Sequence, residues 1–172
     1  MADALQPVPD APGRIRGDGE KDLSEFEAVF QSGQYHSLLY IVLEAKALYA
    51  LLYDDHDLAK TTAAAFLRLA STYDPNNDTL MRARFGGHVV HTCALGYDWL
   101  YPYFSEEERL HMIAACENIL SICLEMGYPP TKQSPIGSHA AEAQLLRDTL
   151  GFAIAVYDER PDVYDFCAGR IF

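Results

Sequence analysis

A chain of 172 residues with 49% hydrophobic and 22% charged residues can bury one sizeable core and has the balance of an ordinary globular protein. Its formal charge of −12, from 25 Asp+Glu against 13 Lys+Arg, opposes non-specific nucleic-acid binding, which works by neutralising phosphates. No apolar run is long enough to span a membrane, and the start Met1-Ala2-Asp3-Ala4 lacks the basic-then-apolar pattern of a secretory signal.

Residues 1–21 carry Pro7, Pro9, Pro12, Gly13, Gly17 and Gly19 and read as an irregular lead-in with no core of its own. From Asp22 onward the pattern is helical. The segment from Tyr35 to Leu52 is apolar over more than half its circumference, as in an inner helix covered on several sides. Tyr53-Asp54-Asp55-His56-Asp57 breaks it, and Asp55 or Asp57 is placed to cap the next helix, which runs through Ala63, Phe66 and Leu69. Tyr73-Asp74-Pro75-Asn76-Asn77-Asp78 is a turn cluster.

A second pair follows. One helix spans His88 to Leu100, and Ser105-Glu106-Glu107-Glu108 then forms a capping box in which Ser105 is the N-cap and Glu108 reaches back. That helix runs through Ile113, Cys116, Ile119 and Cys123 and stops at Gly127 before Pro129-Pro130. Cys93, Cys116, Cys123 and Cys167 include no CxxC pair and read as reduced core thiols rather than a metal knuckle or a disulfide frame. After a polar loop comes a third apolar helix, from Ser138 to Val156, and a last helix starts at Pro161 or Asp162.

These segments form a weak repeat. Each apolar helix ends in Tyr-Asp (Tyr53-Asp54, Tyr97-Asp98, Tyr157-Asp158), with spacings of 44 and then 60 residues. Each also carries a histidine on its earlier part: His36, His88 and His139. Helix–turn–helix repeated in this way predicts an all-α fold, with residues 22–172 forming three to four helical hairpins of an incomplete α/α toroid. The apolar end Arg170-Ile171-Phe172 wants further protein against it, so the expectation is a domain truncated at its C-terminus.

Chemistry concentrates in Gly137-Ser138-His139-Ala140-Ala141-Glu142. His139 and Glu142 are three apart and share a helix face at its N-terminal end, where free N–H groups favour an anion. A histidine oriented there by a carboxylate can move a proton; the plainer alternative is a turn cap beside an acid that suits the helix dipole. His88 and His91, following Arg82, Arg84 and Gly86-Gly87, are too few for zinc and read as core or supporting groups, so no metal is expected. Tyr97-Asp98-Trp99-Leu100-Tyr101-Pro102-Tyr103 could stack sugar rings but is read first as packing for a hairpin turn.

Two stretches carry a resemblance. Cys93-Ala94-Leu95-Gly96-Tyr97-Asp98-Trp99-Leu100-Tyr101, followed by Ser105-Glu106-Glu107-Glu108-Arg109, resembles the heparinase II/III-like polysaccharide lyases. Gly137-Ser138-His139-Ala140-Ala141-Glu142, with Ala153-Ile154-Ala155-Val156-Tyr157-Asp158-Glu159, looks like their catalytic-histidine helix and its end. The likeness covers residues 35–172. It implies an N-terminal toroid followed by further toroid helices and β-sandwich domains, in a secreted or periplasmic enzyme. Such an enzyme cleaves anionic, uronic-acid-containing polysaccharide of heparin or heparan sulfate type by β-elimination.

By resemblance His139 belongs to the catalytic group, with Glu142 as its acidic neighbour. Ser138 stands where alginate-active relatives often carry Asn. The family's catalytic tyrosine lies well downstream of the histidine, and Tyr157 and Tyr164 match the helix-end pattern instead, so the chain alone is expected to be inactive and to hold no cofactor. If the three apolar helices run parallel, His36, His88 and His139 start at one rim, which with Arg82 and Arg84 would line the substrate groove. Two other classes stay open: a non-catalytic helical repeat that binds a protein or carbohydrate partner, and a hydrolase toroid using Asp98 and Glu142 as paired carboxylates.

Overall fold

A computed structural model describes residues 37–77, 82–127 and 141–171. The proline- and glycine-rich lead-in, His36 and His139 lie outside the described residues. The described residues are all-helical, with six helices in order: α1 (Ser37–Tyr53), α2 (His56–Thr72), α3 (Arg82–Trp99), α4 (Glu106–Gly127), α5 (Ala141–Ala155) and α6 (Pro161–Ile171). Short 3-10 turns at Pro75–Asn77 and Tyr101–Tyr103 lie at either end of α3. Among the described residues there is no strand, and no helix is long and apolar enough to cross a membrane.

The helix ends follow from local chemistry. Asp54 adopts a left-handed conformation (φ 54°), and the Asp55 N–H turns back to the Ala50 carbonyl at 2.9 Å, which closes α1. The Asp55 side chain then accepts from the Leu58 N–H and so caps α2 one residue later. At α4 the capping box forms as the sequence predicts. The Ser105 N–H donates to Glu108 Oε2 at 2.8 Å, and the Glu108 N–H donates back to Ser105 Oγ at 3.3 Å. The Ser105 bonds hold the Glu108 carboxyl below its ordinary range. Pro161 opens α6, where its missing N–H costs nothing.

The odd helices form one layer of parallel neighbours and the even ones pack across them. Tyr40 and Glu44 of α1 meet His88 and Thr92 of α3, so both chains rise together. Gly87 and His91 of α3 meet Asp148 and Gly151 of α5 in the same sense. Antiparallel to this layer, Phe66 of α2 lies on Gly96 and Cys93, and Cys116 and Cys123 of α4 meet Cys93 and Gly86. Helix α3 touches α1, α2, α4 and α5. The core accordingly gathers round it: Leu43, Phe66, Val89, Tyr97, Ile119 and Phe152 are all buried. Full burial of each such side chain contributes about 1.5–3 kcal/mol. All four cysteines are free and buried, and contact with Cys116 followed by burial pushes the Cys93 thiol well above its ordinary value.

Helix α3 begins at Arg82, six residues before the His88 start expected from the sequence. Gly86-Gly87 lies just ahead of that expected start. In the fold both glycines are buried helical positions, where a Cβ would strike Cys123 Sγ and Asp148 Oδ2 respectively. Close packing outweighs the helix penalty of about 1 kcal/mol per glycine.

Gly96 gives a direct check, since a Cβ there would lie 2.5 Å from Phe66 Cγ on a ring that is fully buried. Gly96→Ala is expected to lower stability by about 1–3 kcal/mol in urea unfolding, despite the better helix propensity of alanine. Ser105→Ala is expected to lower it by about 1 kcal/mol through loss of the cap.

Candidate functional site

Polar side chains lie along two flanks of α3, where it meets α1 and where it meets α5. On the α1 side, Thr92 Oγ1 donates to Glu44 Oε1 at 2.7 Å, and the His88 ring stands edge-on to Tyr40 with centroids 6.4 Å apart. On the α5 side, Asp148 is fully buried, with its Oδ1 accepting from Arg147 Nε at 2.6 Å. The Arg147 side chain reaches outward and is 49% exposed. Asp148 Oδ2 points at Gly87 and has no hydrogen-bond partner. His91 Nδ1 and Thr149 Oγ1, also buried, are unpartnered as well. A Cβ on Gly151 would come 3.2 Å from His91 Nδ1, so the glycine leaves the imidazole its place.

Electrostatics set the state of this seam. Burial pushes the Asp148 carboxyl above its ordinary range, and this outweighs the opposing pull of Arg147, His91 and His88. A buried carboxylate with one oxygen unpaired is an expensive group to keep, and Gly87 is the residue that makes room for it. The cluster can donate through Arg147 and the imidazoles and accept through Asp148. Among the described residues no group of three His, Cys, Asp or Glu is placed to hold a metal.

The opposite end of the layer is aromatic. Tyr97 is buried and stacks on Phe104, while Tyr101 donates to Glu159 Oε1 at 2.8 Å beneath the Arg109 guanidinium, 4.5 Å from the ring centroid. Arg109 also donates to the Phe104 carbonyl at 2.9 Å, and Trp99 packs on the core. Burial first, then the Glu159 carboxylate, raises the Tyr97 phenol. These contacts tie the α3–α4 turn to the α5–α6 turn, which is the packing role read from the sequence.

Of the residues expected to act, His88 lies in the seam, half-buried in α3. Arg84 and Glu142 fall on α3 and on the first turn of α5, with the backbone alone described, and His36 and His139 lie outside the described residues. Within the described residues the level of His88 is met by Tyr40 on α1 and, beside the adjacent Gly87, by Asp148 on α5. Sequence reasoning passed over Arg147 and Asp148. The available signal was a charged pair set inside the apolar run Leu145-Leu146-Arg147-Asp148-Thr149-Leu150 of a helix assigned to the interior.

The chain matches no protein-family model and no curated protein.

The seam carries its own pH signature. Because the folded-state pKa of Asp148 lies above the unfolded one, the native state holds this proton more tightly. Stability from this group is therefore lost as pH rises through the interval just above the ordinary carboxylate range. Asp148→Asn cannot ionise, so urea titrations at about pH 4 and about pH 7 should show the variant gaining on the native protein at the higher pH. A stability difference independent of pH would mean that Asp148 titrates as in the unfolded chain.

Proposed function

We propose that this chain is the histidine-bearing toroid portion of a polysaccharide lyase acting on anionic, uronic-acid-containing polysaccharide of heparin or heparan sulfate type. The observation that carries the reading is the pair of sequence stretches resembling that family, centred on Tyr97-Asp98-Trp99-Leu100-Tyr101 and on His139-Ala140-Ala141-Glu142. The helical architecture is compatible with it. Hairpins set side by side, with their odd helices parallel in one layer, are the unit from which an α/α toroid is built. The polar seam on that layer carries Arg147, whose half-exposed guanidinium can serve an anionic sugar as a donor.

In the proposed reaction a base removes the C5 proton of the uronate, the C4–O4 bond breaks, a C4–C5 double bond forms, and the departing oxygen takes a proton from an acid. The sugar carboxylate beside C5 opposes the developing negative charge, so a donor that neutralises it lowers the barrier most. His139 is assigned to this group, with Glu142 orienting it. Tyr157 and Tyr164, edge-on to each other at 5.5 Å beyond α5, are given no catalytic part.

A second reading, a non-catalytic helical repeat that binds a protein or carbohydrate partner, is favoured by α1. Ile41, Leu48 and Leu52 form one exposed apolar stripe along that helix, with Leu52 70% exposed.

Catalysis separates the two readings. The protein encoded by the complete reading frame is incubated with heparan sulfate, alginate and chondroitin, and the ultraviolet absorbance of the new double bond is followed. Cleavage of a uronate polymer is expected, with a loss of about a hundredfold or more in His139→Ala. Absence of the chromophore with every polymer would remove the lyase reading and leave the binding one.

A further inference from the structure

The α3–α5 seam holds an arginine arranged for a purpose that packing does not require. Arg147 is tied through Nε, at 2.6 Å, to a carboxylate that is fully buried, while its own side chain is 49% exposed. One edge of the guanidinium is thus fixed from below, and the two terminal nitrogens have no partner among the described residues. The other described arginine side chains are committed. Arg109 bonds the Phe104 carbonyl and lies over Tyr101, Arg160 bridges Glu117 and Asp162, and Arg68 has an interaction of its own.

The anchor is costly. Replacing a buried ion pair by apolar groups of similar size is often neutral or stabilising. Asp148 nevertheless sits in the interior with Oδ2 unpartnered, in space that exists because position 87 is glycine. An exposed arginine held in one orientation loses less conformational freedom when it meets a planar anion, and its fork matches the two oxygens of a carboxylate. The Arg147–Asp148 pair is close to neutral by itself. His91 and His88 across the seam favour the ionised form of Asp148, the form that holds the guanidinium.

We propose that the outer edge of the α3–α5 seam is an anion subsite in which Arg147, positioned by the buried Asp148, takes the carboxylate of a uronate residue. The inference rests on the acidic-polysaccharide reading above and adds where the acid group docks. Arg147 is the binding residue and Asp148 a positioning residue.

The test is calorimetric titration of the full 172-residue chain. Three probes are used: an unsulfated hexuronate hexasaccharide, the same oligosaccharide with its carboxylates reduced to alcohols, and inorganic sulfate. The native chain should bind the uronate probe and lose at least about tenfold in affinity for the reduced one. Arg147→Gln should lose about the same factor for the uronate probe and discriminate no further between the two sugars. Arg147→Lys should recover part of the affinity, because charge returns without the fork. Asp148→Asn should weaken binding only while Arg147 is present. Arg147 is half exposed, so its variants read the site even where a change at Asp148 disturbs folding, and Arg160→Gln serves as a surface-charge control.

Native-like uronate affinity in Arg147→Gln, equal binding of the reduced sugar, or sulfate bound as tightly as the uronate would overturn the subsite while leaving the polysaccharide reading intact. If the native chain binds none of the probes, the subsite is overturned as well. Whether the lyase reading falls with it is then decided by double-bond formation with the complete protein.

Discussion

Everything in this fold hangs on a helix with neighbours on four sides. Helix α3 contacts α1, α2, α4 and α5, and a helix so surrounded has most of its circumference packed. The close approaches fall on glycine: Gly86 against Cys123, Gly87 against Asp148, Gly96 against the Phe66 ring. Each brings a backbone within reach of a partner side chain that a Cβ would displace. The chain accepts an intrinsically poor helix former at three positions because tertiary packing, not propensity, sets helix stability here. The thiols Cys93, Cys116 and Cys123 serve the same contact as small apolar fillers, which is why burial and mutual contact keep Cys93 protonated and inert.

Against that apolar centre the α3–α5 seam is an exception that needs a cause. The α1–α3 seam uses a neutral hydroxyl donating to a half-buried Glu44, a contact that satisfies both groups at little expense. The α3–α5 seam instead keeps a fully buried carboxyl whose second oxygen is unpaired, beside an unpaired imidazole nitrogen. Two such orphans oppose folding by about 1–3 kcal/mol each. Groups that destabilise the fold and converge on one place mark a site better than groups that support it.

Much of the local structure was legible because it is written in short-range chemistry. Ser105 with Glu108, Asp55 before Leu58, and Pro161 at the head of α6 each declare a helix start within four residues. The start of α3 was not legible. Gly86-Gly87 has the same local appearance in a turn and in a crowded helix, and the difference lies in Cys123 and Asp148, 37 and 61 residues away. The Tyr-Asp repeat marked three helix ends to within two residues while hiding their unlike surroundings: Tyr97 is 1% exposed, whereas Tyr53 and Tyr157 are 58% and 50% exposed. The pairs also sit differently: Tyr53 ends α1 before a left-handed Asp54, Tyr97-Asp98 lies within the last turn of α3, and Tyr157-Asp158 follows α5. For the site, the histidine pair of α3 drew notice by its spacing. Arg147 and Asp148 did not, since adjacent opposite charges on a helix usually mean a solvated face.

The register between hairpins also bears on where function belongs. Pairing of Tyr40 with His88 and of Glu44 with Thr92 sets α1 and α3 apart by 48 residues, whereas their Tyr-Asp ends are 44 apart. Gly87 with Asp148 and His91 with Gly151 set α3 and α5 apart by 61 and 60, in step with the 60 between the Tyr-Asp ends. Helix α1 is therefore slid by four residues, about one turn or roughly 6 Å, while α3 and α5 keep equivalent levels. Equivalent levels let one helix offer two histidines and the other an arginine and its anchor at the same height. The slid helix puts Tyr40 beside His88 instead, an aromatic edge that restrains the ring from the far side. His88 thus stands against the Tyr40 edge on one flank and feels the charge of Asp148 across the other.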